Sequence, residues 1–316
     1  MDDYISTRIE NSMDAFSRRK KYIPVAMWEI AYVEAGKGAP LFLLHGCPFH
    51  SYEWSAVIPL LAPHYRVLAP DLLGLGDTRV RLSDDYRLPQ QAAMIVGLMD
   101  ALGIPKAFFV SHDHGAATLQ LLMKYHPGRI EKAVLTNAEA YDQWPSREER
   151  PYVAAIVNPL TSNLVRFAFS FRALQRTAFR SAVTNPQTLS DEVLQAFLRP
   201  HISTALRWQR LRRFFQGQLD PENNRETLQA VDGMRRFNKP TLILWGKQDM
   251  HFGTAIAEQL ARDIPGTVGV KYLDHSAHLP MLEEPQTYAK ALNDFFSGQE
   301  NTPAPTPNKS VGKAIP

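Results

Sequence analysis

The run Ala107-Phe108-Phe109-Val110-Ser111-His112-Asp113-His114-Gly115, continued by Ala116-Ala117-Thr118-Leu119-Gln120-Leu121-Leu122-Met123, decides how this chain is read. Its first four residues read as a buried strand, and the residues after Gly115 read as a helix. Between them stands a tight turn with the pattern small-x-nucleophile-x-Gly, which lifts its middle side chain over the edge of a sheet. Gly115 removes the Cβ that would clash where the helix begins. The middle residue is Asp113, a carboxylate expected to be ionised at neutral pH. Ser111 lies two positions too early to be the nucleophile and fills the small first place of the pattern.

The same rhythm extends in both directions. Tyr22 to Ala35 alternates as a strand pair would, and Pro40–Leu44 and Tyr65–Asp71 read as short buried strands. Tyr52 to Ala62 has helical spacing, and Gln90 to Leu102 reads as a helix closed by Gly103. Ala133–Asn137 is the next strand. After it, no buried strand is evident for about a hundred residues, and helical stretches appear over Asn163–Thr177, Ser190–Leu198 and Thr204–Gln216. Strands resume at Thr241–Gly246 and Val268–Leu273, with helices over Thr254–Asp263 and Pro285–Phe296. Strands alternating with helices predict an α/β fold, a mostly parallel doubly wound sheet with an inserted helical cap. The expected division is an N-terminal arm over 1–21, a core of 22–137 and 237–298, a cap over 138–236, and a disordered Pro-rich tail over 299–316.

Composition narrows the function. The 316 residues, 45% of them hydrophobic, can bury a large core. A net charge of +3 gives no footing for nucleic acid. The single cysteine, Cys47, excludes a disulfide framework and a cysteine-rich zinc site. The acidic start Met1-Asp2-Asp3-Tyr4 is followed by no apolar leader, and no apolar run approaches about 18 residues. The expectation is a soluble cytoplasmic monomer or homodimer acting on a small molecule, with no membrane partner.

Loops at the carboxyl edge of a parallel sheet share one crevice, which brings three distant pieces together. They are Asp113, Asp249 in Trp245-Gly246-Lys247-Gln248-Asp249, and His278 in His275-Ser276-Ala277-His278-Leu279-Pro280. The order nucleophile, acid, histidine suits a nucleophilic site. A carboxylate attacks an sp³ carbon directly and expels a leaving group, leaving an ester on Asp113. His278, oriented by Asp249, then activates a water that attacks the Asp113 carbonyl carbon. The backbone N–H groups of Cys47 and His114 are the expected oxyanion donors. Attack on an ester carbonyl would give a mixed anhydride, so Asp113 argues against an esterase. Glu139 is a rival for the acid and His275 for the histidine. No metal is expected at His112-Asp113-His114, because alternating side chains point apart. No cofactor is implied.

These residues resemble the α/β-hydrolase superfamily, and within it the aspartate-nucleophile branch of haloalkane dehalogenases and epoxide hydrolases. The run from His45-Gly46-Cys47-Pro48 through Tyr52-Glu53-Trp54 to Asp71-Leu72-Leu73-Gly74-Leu75-Gly76-Asp77 is similar to the dehalogenase segment. The resemblance implies an α/β-hydrolase fold and hydrolysis of a carbon–halogen bond. The alternatives are an epoxide hydrolase, and a non-catalytic small-molecule receptor or a cofactor-free oxygenase on the same fold. Three departures stand out. His114 occupies the place of the halide-holding Trp, Cys47 that of Asn or Glu, and the stretch 138–236 holds only two tyrosines, Tyr141 and Tyr152. Trp144 and His114 are the expected substrate-binding residues, holding the leaving group. Arginines crowd 160–236, with Arg172, Arg176 and Arg180 on one stripe; they read as a solvated face or as a grip on an anion. Phe167, Phe169, Phe171, Trp208, Phe214 and Phe215 read as cap core.

Overall fold

Apolar runs bounded by Gly, Pro and Asp form eight strands: β1 Lys21–Val25, β2 Trp28–Ala35, β3 Ala39–Leu44, β4 Tyr65–Pro70, β5 Ala107–His112, β6 Ile130–Ala138, β7 Thr241–Gly246 and β8 Thr267–Leu273. The computed structural model describes residues 13–145 and 149–298; the tail expected over 299–316 lies outside the described residues. One sheet holds the strands in the order β1-β2-β4-β3-β5-β6-β7-β8. β1 and β2, and β2 and β4, pair antiparallel; every later pair is parallel. β3 is buried from Leu41 and β7 along its whole length, as a sheet covered on both faces requires.

β5 lies near the middle of the sheet and runs straight into the helix Asp113–Tyr125. The close packing there leaves no room for a side chain at Gly115, where a Cβ would stand 2.3 Å from the carbonyl oxygen of Leu44. The helical spacing expected over Tyr52–Ala62 resolves into two short turns, Ser51–Trp54 and Ile58–Leu61.

Among the described residues, helices alone fill the span between β6 and β7: Arg150–Val157, Ser162–Ala168, Arg172–Phe179, Asp191–Ile202, Ala205–Gln218 and Pro221–Met234, with short 3₁₀ turns between. The single helix expected over 163–177 is broken at Phe169–Phe171. One of these helices, Asp191–Ile202, is tied twice to the loop after β3: the His50 Nε2–H donates to the Ala196 carbonyl and the His201 Nε2–H to the Pro48 carbonyl, each at 2.8 Å. Arg207 and Arg210 reach the loop after β4, at Asp77 and at the carbonyls of Gly76 and Thr78. The last helix behaves differently. Pro221–Met234 packs on Asp113–Tyr125, with Lys124 donating to the Gln229 carbonyl at 2.7 Å and Gly233 letting the two backbones approach. That part of 138–236 therefore lies with the helices flanking the sheet.

Two sequence expectations are corrected. The segment before β1 is not loosely held where it is described, because Met13–Arg18 is helical and Phe16 is buried with its ring edge-on to Tyr52 at 5.2 Å. Within the same arm, Lys20 is buried between Asp71 at 2.6 Å and Asp77 at 2.8 Å. Of the six expected cap-core aromatics, Trp208, Phe214 and Phe215 are buried and Phe169 is partly so, but Phe167 and Phe171 face solvent, packed edge-on against each other. No helix among the described residues is long and apolar enough to cross a membrane.

Candidate active site

The turn after β5 holds Asp113 at φ 48°, a left-handed conformation that costs a non-glycine residue energy and recurs where a side chain must be presented. Asp113 is 1% exposed. Its two carboxylate oxygens differ. Oδ2 accepts the Cys47 N–H at 2.8 Å, while Oδ1 is buried with no partner. Gly46 makes this approach feasible, since a Cβ there would stand 2.6 Å from Asp113 Oδ2. Burial pushes the Asp113 pKa up to about 8, with Glu139 and Glu149 adding to it against the pull of His278 and of the Cys47 N–H. The expected ionisation of Asp113 at neutral pH is thus incomplete.

His278 stands on the loop after β8, with Nδ1 3.0 Å from Asp249 Oδ2. Asp249 is almost fully enclosed: Oδ2 also accepts from Asn137 Nδ2 at 2.8 Å, and Oδ1 accepts the His251 N–H at 2.8 Å. Burial opposes its charge, but His278 and His251 outweigh that and hold its pKa below the usual value. The rings around His278 are His112 at 4.6 Å, His251 at 5.1 Å, Phe252 at 5.7 Å and Phe49 at 6.5 Å between centroids. Of the rival residues, Glu139 pairs with His114, at 2.8 Å from Nδ1, and not with His278. His275 contributes its carbonyl to Thr184.

A second buried chain backs the loop at Gly46–Cys47. Glu53 Oε2 accepts the Gly46 N–H at 3.1 Å, and Oε1 lies 3.1 Å from His112 Nδ1. His112 Nε2 is 2.8 Å from the His278 carbonyl, which only accepts, so the ring proton sits on Nε2. Burial raises the Glu53 pKa to about 7 and lowers that of His112 to about 4. Neutral Glu53 can therefore donate its O–H to the bare Nδ1 of His112. Sequence reasoning missed Glu53, Asn137, His251 and Phe252. The visible signal was Glu53 itself, a carboxylate between Tyr52 and Trp54 in an otherwise apolar turn.

The remaining expected residues fall as follows. The Cys47 backbone N–H donates to Asp113, and its thiol is buried with a pKa raised by desolvation and by Asp113. His114 opens the helix beside Asp113, where backbone N–H groups lack helical partners. Trp144 is buried, donates its indole N–H to Gln218 at 3.1 Å and stands behind Phe252, at 6.4 Å; Phe252 is the ring that meets His278. The stripe arginines are engaged locally, Arg172 with Gln175, Arg176 with Asp191 and Arg180 with the Val183 carbonyl. Among the described residues, no three His, Cys, Asp or Glu side chains are placed to hold a metal ion.

A sheet with this strand order, a strained acid at the turn after β5, and an acid–histidine pair after β7 and β8 define a hydrolase architecture. The alpha/beta hydrolase fold profile matches residues 39–285, and the chain belongs to that family. It is 22% identical over 259 residues to the uncharacterised hydrolase YugF of Bacillus subtilis, covering 81% of this chain and 89% of that protein. It is 32% identical over 139 residues to a haloalkane dehalogenase of Mesorhizobium japonicum, covering 43% of this chain and 45% of that one. The crystal structure of haloalkane dehalogenase DbeA from Bradyrhizobium elkani superposes with a TM-score of 0.73 at 23% identity, covering 88% of this chain and 97% of that one.

Proposed function

We propose that the protein hydrolyses a small alkyl substrate through a covalent ester on Asp113, most simply by cleaving a carbon–halogen bond. The observation that carries this reading is the division of labour in the Asp113 carboxylate. Oδ2 already occupies an amide donor, and Oδ1 is left bare to attack. Attack by Oδ1 on an sp³ carbon expels the halide and leaves an alkyl ester. The Cys47 N–H, and the His114 N–H beside it, then receive the charge that develops on Oδ2 as water adds to Cγ. His278 takes the proton of that water, and Asp249 balances the resulting imidazolium. Because Oδ1 must be ionised to attack, the alkylation step gains as pH rises toward about 8.

Epoxide opening would use the same attack but needs a proton for the departing oxygen. The two tyrosines of 138–236 are poorly placed to give it: Tyr141 donates to Asp263 at 3.0 Å and Tyr152 is exposed.

The test uses His278→Phe, which blocks the second step. Incubated with pools of haloalkanes, haloacids and epoxides, this variant is expected to gain an alkyl mass on the peptide carrying Asp113. A folded variant that gains no mass from any pool would overturn the covalent reading and favour a non-covalent receptor or an oxygenase.

A further inference from the structure

Next to Asp113 in the chain, and separate from the Asp249–His278 pair, lies a second imidazole–carboxylate pair. His114 Nδ1 is 2.8 Å from Glu139 Oε2, and the two side chains are 0% and 1% exposed. The pair is locked to the nucleophile's own backbone, because the Glu139 N–H donates to the Asp113 carbonyl at 3.3 Å. Gln120 fixes the other side, donating to the Glu139 carbonyl at 2.8 Å. Phe214 seals the imidazole edge-on at 5.1 Å. The other ring nitrogen, His114 Nε2, is buried and has no partner. Consecutive residues at one helix start thus each carry a bare buried polar atom, Asp113 Oδ1 and His114 Nε2.

Bare buried polar atoms cost free energy unless a ligand completes them. A substrate with an electrophilic carbon for Oδ1 and an accepting atom for Nε2–H would complete both. We infer that His114, held by Glu139, is the general acid for the leaving atom, and that the substrate's leaving atom is one that departs protonated, the oxygen of an epoxide or a fluoride. This rests on the proposed attack by Asp113. As the Asp113 Oδ1–carbon bond forms, the carbon–leaving-atom bond breaks and its electron pair goes to that atom. The atom takes the Nε2 proton: a fluoride leaves as hydrogen fluoride, and an epoxide oxygen stays on the neighbouring carbon as the hydroxyl of the new ester. His114 is left neutral with Nδ1–H on Glu139, and solvent water restores the Nε2 proton after product release. The Glu139 carboxylate balances the imidazolium before transfer, so it acts as a positioning residue. Chloride and bromide leave readily without a proton, and a Gln amide would serve them as a hydrogen-bond donor nearly as well.

The experiment measures alkylation rates in the His278→Phe background by intact mass, with matched pools of terminal epoxides and 1-bromoalkanes. His114→Gln keeps a donor but no transferable proton. It is expected to slow epoxide alkylation by about 10²–10⁴-fold, and bromide alkylation by under about tenfold. The epoxide-to-bromide rate ratio, taken at one pH, cancels the titration of Asp113 and is expected to fall in His114→Gln. Glu139→Gln, which preserves the shape of the pair, is expected to lower the same ratio. Equal slowing of both pools, a ratio unmoved by either variant, or adducts in the parent from bromides but from neither epoxides nor matched 1-fluoroalkanes would overturn the His114 assignment while leaving Asp113 as nucleophile. Adducts from none of these would overturn both.

Discussion

Asp113 lies where a buried carboxylate is costly, and its raised pKa has a thermodynamic counterpart. The unfolded chain loses this proton near pH 4, the folded chain near pH 8. Between those values the folded state binds more protons, so this group makes the protein less stable as pH rises, by at most about 1.4 kcal/mol per pH unit. Asp113→Asn removes the titration. Its stability advantage over wild type is expected to grow from pH 5 toward about 8 and to level off beyond, measured as the difference in Tm at pH 5, 6.5 and 8. A constant difference would mean that Asp113 is ionised throughout. At this scale the sequence was most informative. Asp113, Asp249 and His278 were legible because their flanks follow the period of strand, turn and helix. Glu53, Asn137 and the Glu139 pairing with His114 were not, because each depends on which loops meet across the sheet edge, which local spacing does not encode.

At the scale of the element, the helices between β6 and β7 carry two kinds of aromatic. Phe214 is buried against His114, whereas Phe167 stands exposed on Ser162–Ala168. Phe214→Ala is expected to cost about 3–5 kcal/mol and Phe167→Ala to stay within about 0.5 kcal/mol, read from urea unfolding of the two variants. The sequence could not separate them, since both follow an arginine in an amphipathic stretch; packing partners decide. The helix Thr254–Asp263 was legible to its end residues, because it stands alone between two strands. Arg150–Val157 and Pro221–Met234 were overlooked: Pro151 and the polar run Glu222-Asn223-Asn224 mask helices that packing stabilises.

At the scale of the molecule, Lys20 joins parts that the chain order separates. It meets Asp71 and Asp77, and Asp77 also meets Arg207 of the inserted helices at 2.9 Å. Both aspartates hold depressed pKa values, because the charge of Lys20 outweighs much of the cost of their burial. Lys20→Ala strands Asp71 and leaves Asp77 to Arg207 alone; it is expected to cost about 3–5 kcal/mol, with the loss largest at neutral pH and shrinking as acid protonates the carboxylates; thermal melts at pH 4 and pH 7 check this. The α/β architecture was legible from alternation alone. The burial of Lys20 was not, since a lysine in a basic run looks solvated until its partners, 51 and 57 residues away, are in place. The bonds from Ala196 and His201 to His50 and Pro48 carry a further meaning. Both anchor the three residues that follow Cys47 in sequence, and the Cys47 amide is what grips Asp113. Any outward swing of the inserted helices that breaks them slackens that grip. The seating of the inserted helices and the hold on the Asp113 carboxylate are thereby coupled, so that loosening the first is felt at the second.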